Sequence, residues 1–207
     1  MLNLVNKKIL VISPHIDDVE LGMGGTVNLL KERNEIFYLG LSSPDNVEPK
    51  SFISTEFRQS CQHLGIKESN IITKNYHPRN MGDNKSEILQ LLFDLNRQIQ
   101  PDIVFIPNSK DIHQAHHVVF EEGRRAFKYK SILGYELPWN SIEFSMDVFV
   151  PLLKDNIVAK MASINSFKSQ EKRMFFSNNI LMDLARVRGK QIGKEYAECF
   201  ELIRLIL

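Results

Sequence analysis

Ile9-Leu10-Val11-Ile12, followed directly by Ser13-Pro14-His15-Ile16-Asp17-Asp18-Val19-Glu20, is the stretch that decides the fold. Four consecutive apolar residues behind Lys7-Lys8 predict a strand buried on both faces, as in a parallel sheet. The same pattern recurs downstream. A helix over 25–33 leads to an apolar strand over 36–41. A loop over 42–53 holds Pro44, Asp45, Asn46 and Pro49. A helix over 55–64, closed by Gly65, leads to the short strand Ile71-Ile72. After a polar stretch over 74–84, Ile88, Leu91, Leu92, Leu95 and Ile99 keep a helical period that Pro101 stops. A strand over 103–106, a helix over 118–127 and a strand over 131–135 follow. This alternation implies an α/β fold, a mostly parallel sheet with helices on both faces. The last third predicts strands over 146–150 and 199–206 and helices over 154–164 and 170–187. With no repeat, low-complexity tract or linker, residues 1–207 read as one domain.

The formal net charge of +1 removes the electrostatic case for a nucleic-acid binder. Two cysteines, Cys61 and Cys199, are too few for a disulfide framework and read as buried thiols. No apolar run reaches the ~18 residues of a membrane span. Residues 1–8 lack a signal-peptide layout, so a cytoplasmic location is expected.

Chemistry-bearing residues collect in two places, each just after a strand. In open α/β sheets that is where ligands bind. The first place holds His15, Asp17, Asp18 and Glu20. His15 and Asp18 are three apart, so a turn or helix points them to one side. Imidazole nitrogen and carboxylate oxygen are both zinc donors, and Asp17 could stand beside the metal as a proton acceptor. A helix cap is the plainer role for such aspartates. Gly22, Gly24 and Gly25 do not have dinucleotide-motif spacing. The second place is Asn108-Ser109-Lys110-Asp111-Ile112-His113-Gln114-Ala115-His116-His117. A catalytic zinc takes three protein ligands and keeps one position open. His15, Asp18 and one of His113, His116 or His117 would supply that set, whereas His63 and His77 stand alone.

These residues resemble a known family. Pro14-His15-Ile16-Asp17-Asp18-Val19-Glu20 and Gly24-Gly25-Thr26 are similar to the (A/P)-H-P-D-D-x-E-x-x-x-G-G-T signature of the LmbE-like, or PIG-L, deacetylases. Asp111-Ile112-His113-Gln114-Ala115-His116 resembles the family's H-x-D-H segment. Arg188-Gly189 and Tyr196-Ala197-Glu198-Cys199-Phe200 resemble its C-terminal RG…YAE-x-F pattern. The resemblance implies a Rossmann-like α/β fold with one Zn2+ per chain and hydrolysis of N-acyl groups, usually acetyl, from amino sugars and their conjugates. It implies His15, Asp18 and His116 as zinc ligands and Asp17 as general base. His113 matches the histidine that stabilises the oxyanion or protonates the leaving amine. Arg58 falls where members often place a substrate-contacting arginine. Two positions depart from the pattern. Ile16 replaces a proline and costs no ligand. Ala115 replaces an aspartate expected to orient a neighbouring histidine, a loss typically of ~10–100-fold in affinity or activity. His117, an extra imidazole, is the nearest stand-in.

The expectation is therefore zinc-dependent amide hydrolysis, with turnover reduced by Ala115. A non-catalytic sugar-conjugate binding protein is the alternative that Ala115 motivates. A non-haem iron oxygenase uses the same two histidines and carboxylate, but it needs no base beside the metal, so Asp17 favours hydrolysis. Candidate substrates are free N-acetylglucosamine and thiol-, lipid- or nucleotide-linked amino sugars. Specificity is expected from 43–53, 76–84 and 134–141, with Glu136 taking sugar hydroxyls and Trp139 either stacking on a ring or packing in the core. The apolar C-terminal run (Phe200, Leu202, Ile203, Leu205, Ile206, Leu207) either completes the sheet or covers a partner in a homo-oligomer.

Overall fold

The structure is a computed structural model that describes residues 4–42, 50–174 and 178–206. The loop expected to carry specificity therefore lies largely outside the described residues, over 43–49. Strands β1 (Lys8–His15), β2 (Glu35–Ser42), β3 (Ile71–Thr73), β4 (Ile103–Pro107) and β5 (Ser131–Tyr135) alternate with helices α1 (Asp18–Leu30), α2 (Lys50–Leu64), α3 (Lys85–Ile99) and α4 (Gln114–Ala126). Strand β6 (Val148–Leu152), helices α5 (Lys154–Ile164) and α6 (Asn178–Gln191), and strand β7 (Tyr196–Arg204) complete it. They form a seven-stranded sheet in the order β3-β2-β1-β4-β5-β7-β6. Strands β1 to β5 pair in parallel; β7 runs antiparallel to β5 and β6. Phe200, Leu202 and Ile203 of the apolar C-terminal run thus enter the sheet in β7. Among the described residues no helix is long and apolar enough to cross a membrane.

Both faces of the sheet are covered, which is why β1 has no polar alternation. Ile9 and Val11 enter one buried cluster with residues of α1, α2 and α5; Leu10 and Ile12 enter the other with residues of α3 and α4. The chain moves outward from β1 to β3 and then returns to lay β4 on the free side of β1. That reversal leaves a crevice at the carboxyl ends of β1 and β4, the usual ligand position of such sheets.

Several boundaries differ from the sequence reading. Helix α1 begins at Asp18 rather than at 25, because Asp18 and Glu20 suit the positive end of a helix. Its glycines serve close packing: a Cβ on Gly22 would stand 2.8 Å from the Tyr135 ring, and one on Gly25 would stand 2.6 Å from Leu152. Helix α4 starts at Gln114 rather than at 118, directly behind His113. Residue 170, expected to open a helix, ends a three-ten turn over Lys168–Gln170, and α6 begins at Asn178.

Helix α1 is kinked where Met23 leaves helical geometry (φ −149°, ψ 19°). The buried Glu198 carboxylate of β7 accepts from the freed N–H groups of Gly25 (3.1 Å) and Thr26 (2.6 Å). It also pairs with the buried Lys160 ammonium at 2.7 Å. The Gly-Gly-Thr and Tyr-Ala-Glu segments, distant in sequence, thus meet in one polar knot. Removing one partner of a buried ion pair strands the other charge. Glu198→Ala is expected to lower the free energy of unfolding by about 3–5 kcal/mol, read by urea unfolding with Trp139 fluorescence; a change below ~1 kcal/mol would show that the knot carries no stability.

Candidate active site

The last residue of β1 and the first turn of α1 build one half of the site. His15 pairs with Ser42 in the sheet, and Ser42 Oγ donates to the Pro14 carbonyl at 2.7 Å, which holds the strand end. The Asp18 carboxylate turns back and accepts the His15 backbone N–H at 2.7 Å. The other half comes from the β4–α4 connection and the first turn of α4. His113 caps α4 and His116 lies in its first turn, buried.

Three atoms converge there. His15 Nδ1 lies 3.1 Å from Asp18 Oδ2 and 3.1 Å from His116 Nε2, and His116 Nε2 lies 3.2 Å from Asp18 Oδ2. Donors bound at ~2.0–2.2 Å to one zinc ion stand ~3–3.6 Å from one another, so the three fit one small divalent ion. Electrostatics agree. Burial opposes charge on Asp18, yet His116 and His15 hold its carboxyl well below the usual range. Burial likewise opposes charge on His116, but the Asp18 and Asp111 carboxylates raise it to about 10. The site wants a positive charge at its centre.

Asp111 orients the most deeply buried of the three side chains. Its Oδ2 lies 2.7 Å from His116 Nδ1, and a carboxylate only accepts, so that nitrogen carries the proton and Nε2 faces the cluster. Asp111 Oδ1 accepts the backbone N–H of His113 at 2.9 Å. The orienting carboxylate for His116 thus comes from Asp111 in the preceding loop, while Ala115 is buried in the apolar cluster beneath α4. His117 is exposed and takes no part in the cluster.

Asp17 stands beside the three atoms, 3% exposed, with Oδ2 buried and without a hydrogen-bond partner. Burial first, then the charge of Asp18, raises its carboxyl to about 6, against the charges of His15, Arg173 and His116. The His113 ring lies edge-on to His15, centroids 4.8 Å apart, and 4.6 Å from the His116 ring. Its Nδ1 is also buried without a partner. Burial, then the charges of His116 and His15, pushes it down to about 4, so it is neutral near pH 7. Beneath the site Glu20 is wholly buried and accepts from Tyr38 Oη (2.7 Å) and Ser60 Oγ (2.9 Å). Burial raises it to about 8, so it stands protonated at neutral pH.

Arg58 and Glu136, the two expected substrate contacts, are both paired within the protein. Arg58 pairs with Glu68, from the turn ahead of β3, and is half exposed; the helical period of α2 turns Phe57 and Cys61 to the core and Arg58 outward. Glu136 is buried and both its oxygens are taken by a two-pronged pair with Arg188, Nε to Oε2 being 3.0 Å. That pair ties α6 to the end of β5. Trp139 packs against the buried cluster on the α1 side of the sheet. The cation whose field reaches Asp17 is Arg173, between α5 and α6, in a segment anchored by Ser169 N (2.9 Å) and Oγ (2.6 Å) donating to Glu56. No sequence signal singles it out. The site also explains Asp111, which the sequence reading quoted without a role.

Known proteins resemble this chain in sequence and in fold. The family described as PIG-L, GlcNAc-PI de-N-acetylase, matches residues 10–127. A curated protein of Escherichia coli (strain K12), "Uncharacterized deacetylase YaiS", is 26% identical over 179 residues, 82% of this chain and 96% of its own. The N,N'-diacetylchitobiose deacetylase of Pyrococcus horikoshii superposes with a TM-score of 0.74 at 20% identity, covering 95% of this chain and 84% of its own. GalB, the 4-carboxy-2-hydroxymuconate hydratase of Pseudomonas putida KT2440, superposes with a TM-score of 0.77 at 19% identity, covering 97% and 98%. At these identities the two structures speak for the fold alone.

Asp111→Ala removes the acceptor that holds His116 in place. It is expected to weaken zinc binding ~10–100-fold in competition with a chromophoric chelator; an unchanged dissociation constant would show that packing alone orients the ring.

Proposed function

Because the chain belongs to the PIG-L family of de-N-acetylases, we propose that it is a metal-dependent hydrolase that removes an N-acetyl group from an amino sugar or its conjugate. The single observation that carries this reading is the His15–Asp18–His116 cluster with the unpartnered Asp17 oxygen beside it. His15, Asp18 and His116 would hold the ion. When bound, a divalent ion there supplies Lewis acidity, polarising the acyl carbonyl and lowering the pKa of water.

The chain's own groups account for the rest. Asp17 Oδ2 takes a proton from the attacking water. Burial and the neighbouring Asp18 charge make it a stronger base than an exposed carboxylate. As the C–N bond breaks, the same oxygen returns the proton to the departing amine, so water and amide become carboxylic acid and amine, and the acid proton then passes to the amine to leave carboxylate and ammonium. His113, neutral, donates an N–H to the oxygen on which charge develops. Arg173 faces the same mouth and takes substrate oxygens with a permanently charged fork. The amino-sugar class is supported by the family's description and by the chitobiose deacetylase that shares the fold. A binding-only protein is the second reading, favoured by the missing acceptor at His113 Nδ1.

The test is amine release from N-acetylglucosamine, diacetylchitobiose and nucleotide- or lipid-linked N-acetylglucosamine by zinc-loaded protein. Release from one of them is expected; none with any would favour binding alone. Asp17→Asn is expected to keep its metal and lose ~100-fold or more of kcat. Full activity in that variant would refute the base assignment. Arg173→Ala is expected to lower kcat/KM ~10–100-fold at unchanged metal content, the worth of a charged hydrogen bond; unaltered kinetics would remove Arg173 from the site.

A further inference from the structure

Three imidazoles meet at the site, one more than the ligand set requires. His15, His113 and His116 each place a ring nitrogen within 4.8 Å of the other two. Two of them already stand 3.1 Å apart. Ligands of one four-coordinate ion at ~2.1 Å stand ~3.4 Å apart, so the third ring has a gap of at most about 1.4 Å to close.

The His113 ring is also less restrained than the others. His116 is held through Nδ1 by Asp111, and His15 by its strand and Asp18. On His113 only the backbone N–H is tied to Asp111; ring Nδ1 is buried with no partner. Ala115, two residues on, carries no acceptor. A buried polar atom without a partner costs ~1–3 kcal/mol, and coordination would remove that cost. Rotation about the side-chain bonds moves the ring with no change in the backbone of α4.

We infer that His113 is a fourth, displaceable metal ligand, bound in the substrate-free protein and released when substrate enters. The inference rests on the metal-dependent reading above. It gives the site two states. At rest, three imidazoles and a carboxylate close the coordination set, as in structural zinc sites; with substrate the set opens, as catalysis requires. The released ring is then free for the substrate oxygen, so resting ligand and catalytic donor are one residue at different times.

The test compares wild type, His113→Ala, His113→Gln and the exposed-site control His117→Ala. Zinc dissociation constants come from chelator competition, and the visible spectrum of the cobalt-loaded protein reports the ligand set. The His113 variants are expected to bind zinc ~10-fold or more weakly, at least the effect of losing an outer-sphere partner. Their cobalt bands should shift as a water oxygen takes the place of the imidazole nitrogen, while His117→Ala matches wild type. Saturating acetate, the acyl product, should move the wild-type spectrum toward that of His113→Ala. Equal zinc affinity and equal spectra would overturn the inference and leave the three-ligand site standing. A wild-type spectrum unmoved by acetate would overturn displacement. Failure of wild type itself to bind metal would instead sink the metal-dependent reading.

Discussion

The pairing of β1 with β4 is the constraint on which the site depends. Ile9, Leu10 and Val11 lie beside Ile103, Val104 and Phe105. This register brings two loops about a hundred residues apart in sequence to one crevice. Each loop alone is a polar turn with a histidine or two. Together they put two imidazole nitrogens and a carboxylate oxygen within 3.2 Å of one another. The apolar runs of both strands are therefore as much part of the site as its ligands. A slip by one residue would turn Ile9 and Val11 to the opposite face of the sheet and carry His15 away from His116.

Buried carboxylates hold the neighbouring elements, each by different chemistry. Glu198 pairs with Lys160 and accepts from two backbone N–H groups. Glu20, wholly buried and with no cation facing it, takes up a proton despite the Tyr38 and Ser60 hydroxyls. Asp18 stays charged because two imidazoles face it. Asp17 is left with one oxygen unserved, which is costly for stability and useful for proton transfer. Burial is similar across the four; partners decide their states.

The sequence was legible where short range decides. Helices α3 and α5 and strand β5 fall on their expected bounds because apolar period and proline stops act locally. The meeting of His15, Asp18 and His116 was readable because all three stand at or beyond the carboxyl ends of buried strands. What escaped was set at long range. Met23 kinks α1 because Glu198 captures the N–H groups beyond it, and nothing local in the glycines announces that. Glu136 looked available for sugar hydroxyls because its partner, Arg188, lies 52 residues away. Arg58 and Arg173 are alike in sequence; only the packing of α2 and the Glu56 anchor under Ser169 separate the outward arginine from the inward one.

Ala115 shows how a departure from a motif should be weighed. The sequence reading treats a missing carboxylate as a loss to whichever histidine stands nearby. In the structure the two histidines of α4 fare differently. His116 keeps an acceptor because Asp111 reaches Nδ1 from the preceding loop, while His113 is served only at its backbone. One ring is locked with its lone pair toward the ion position; the other keeps an unserved nitrogen in a half-buried mouth. A ligand must be rigid to bind metal well, whereas a group that meets a changing substrate benefits from freedom. Ala115 itself lies in the apolar cluster beneath α4, so the support of His116 does not depend on it.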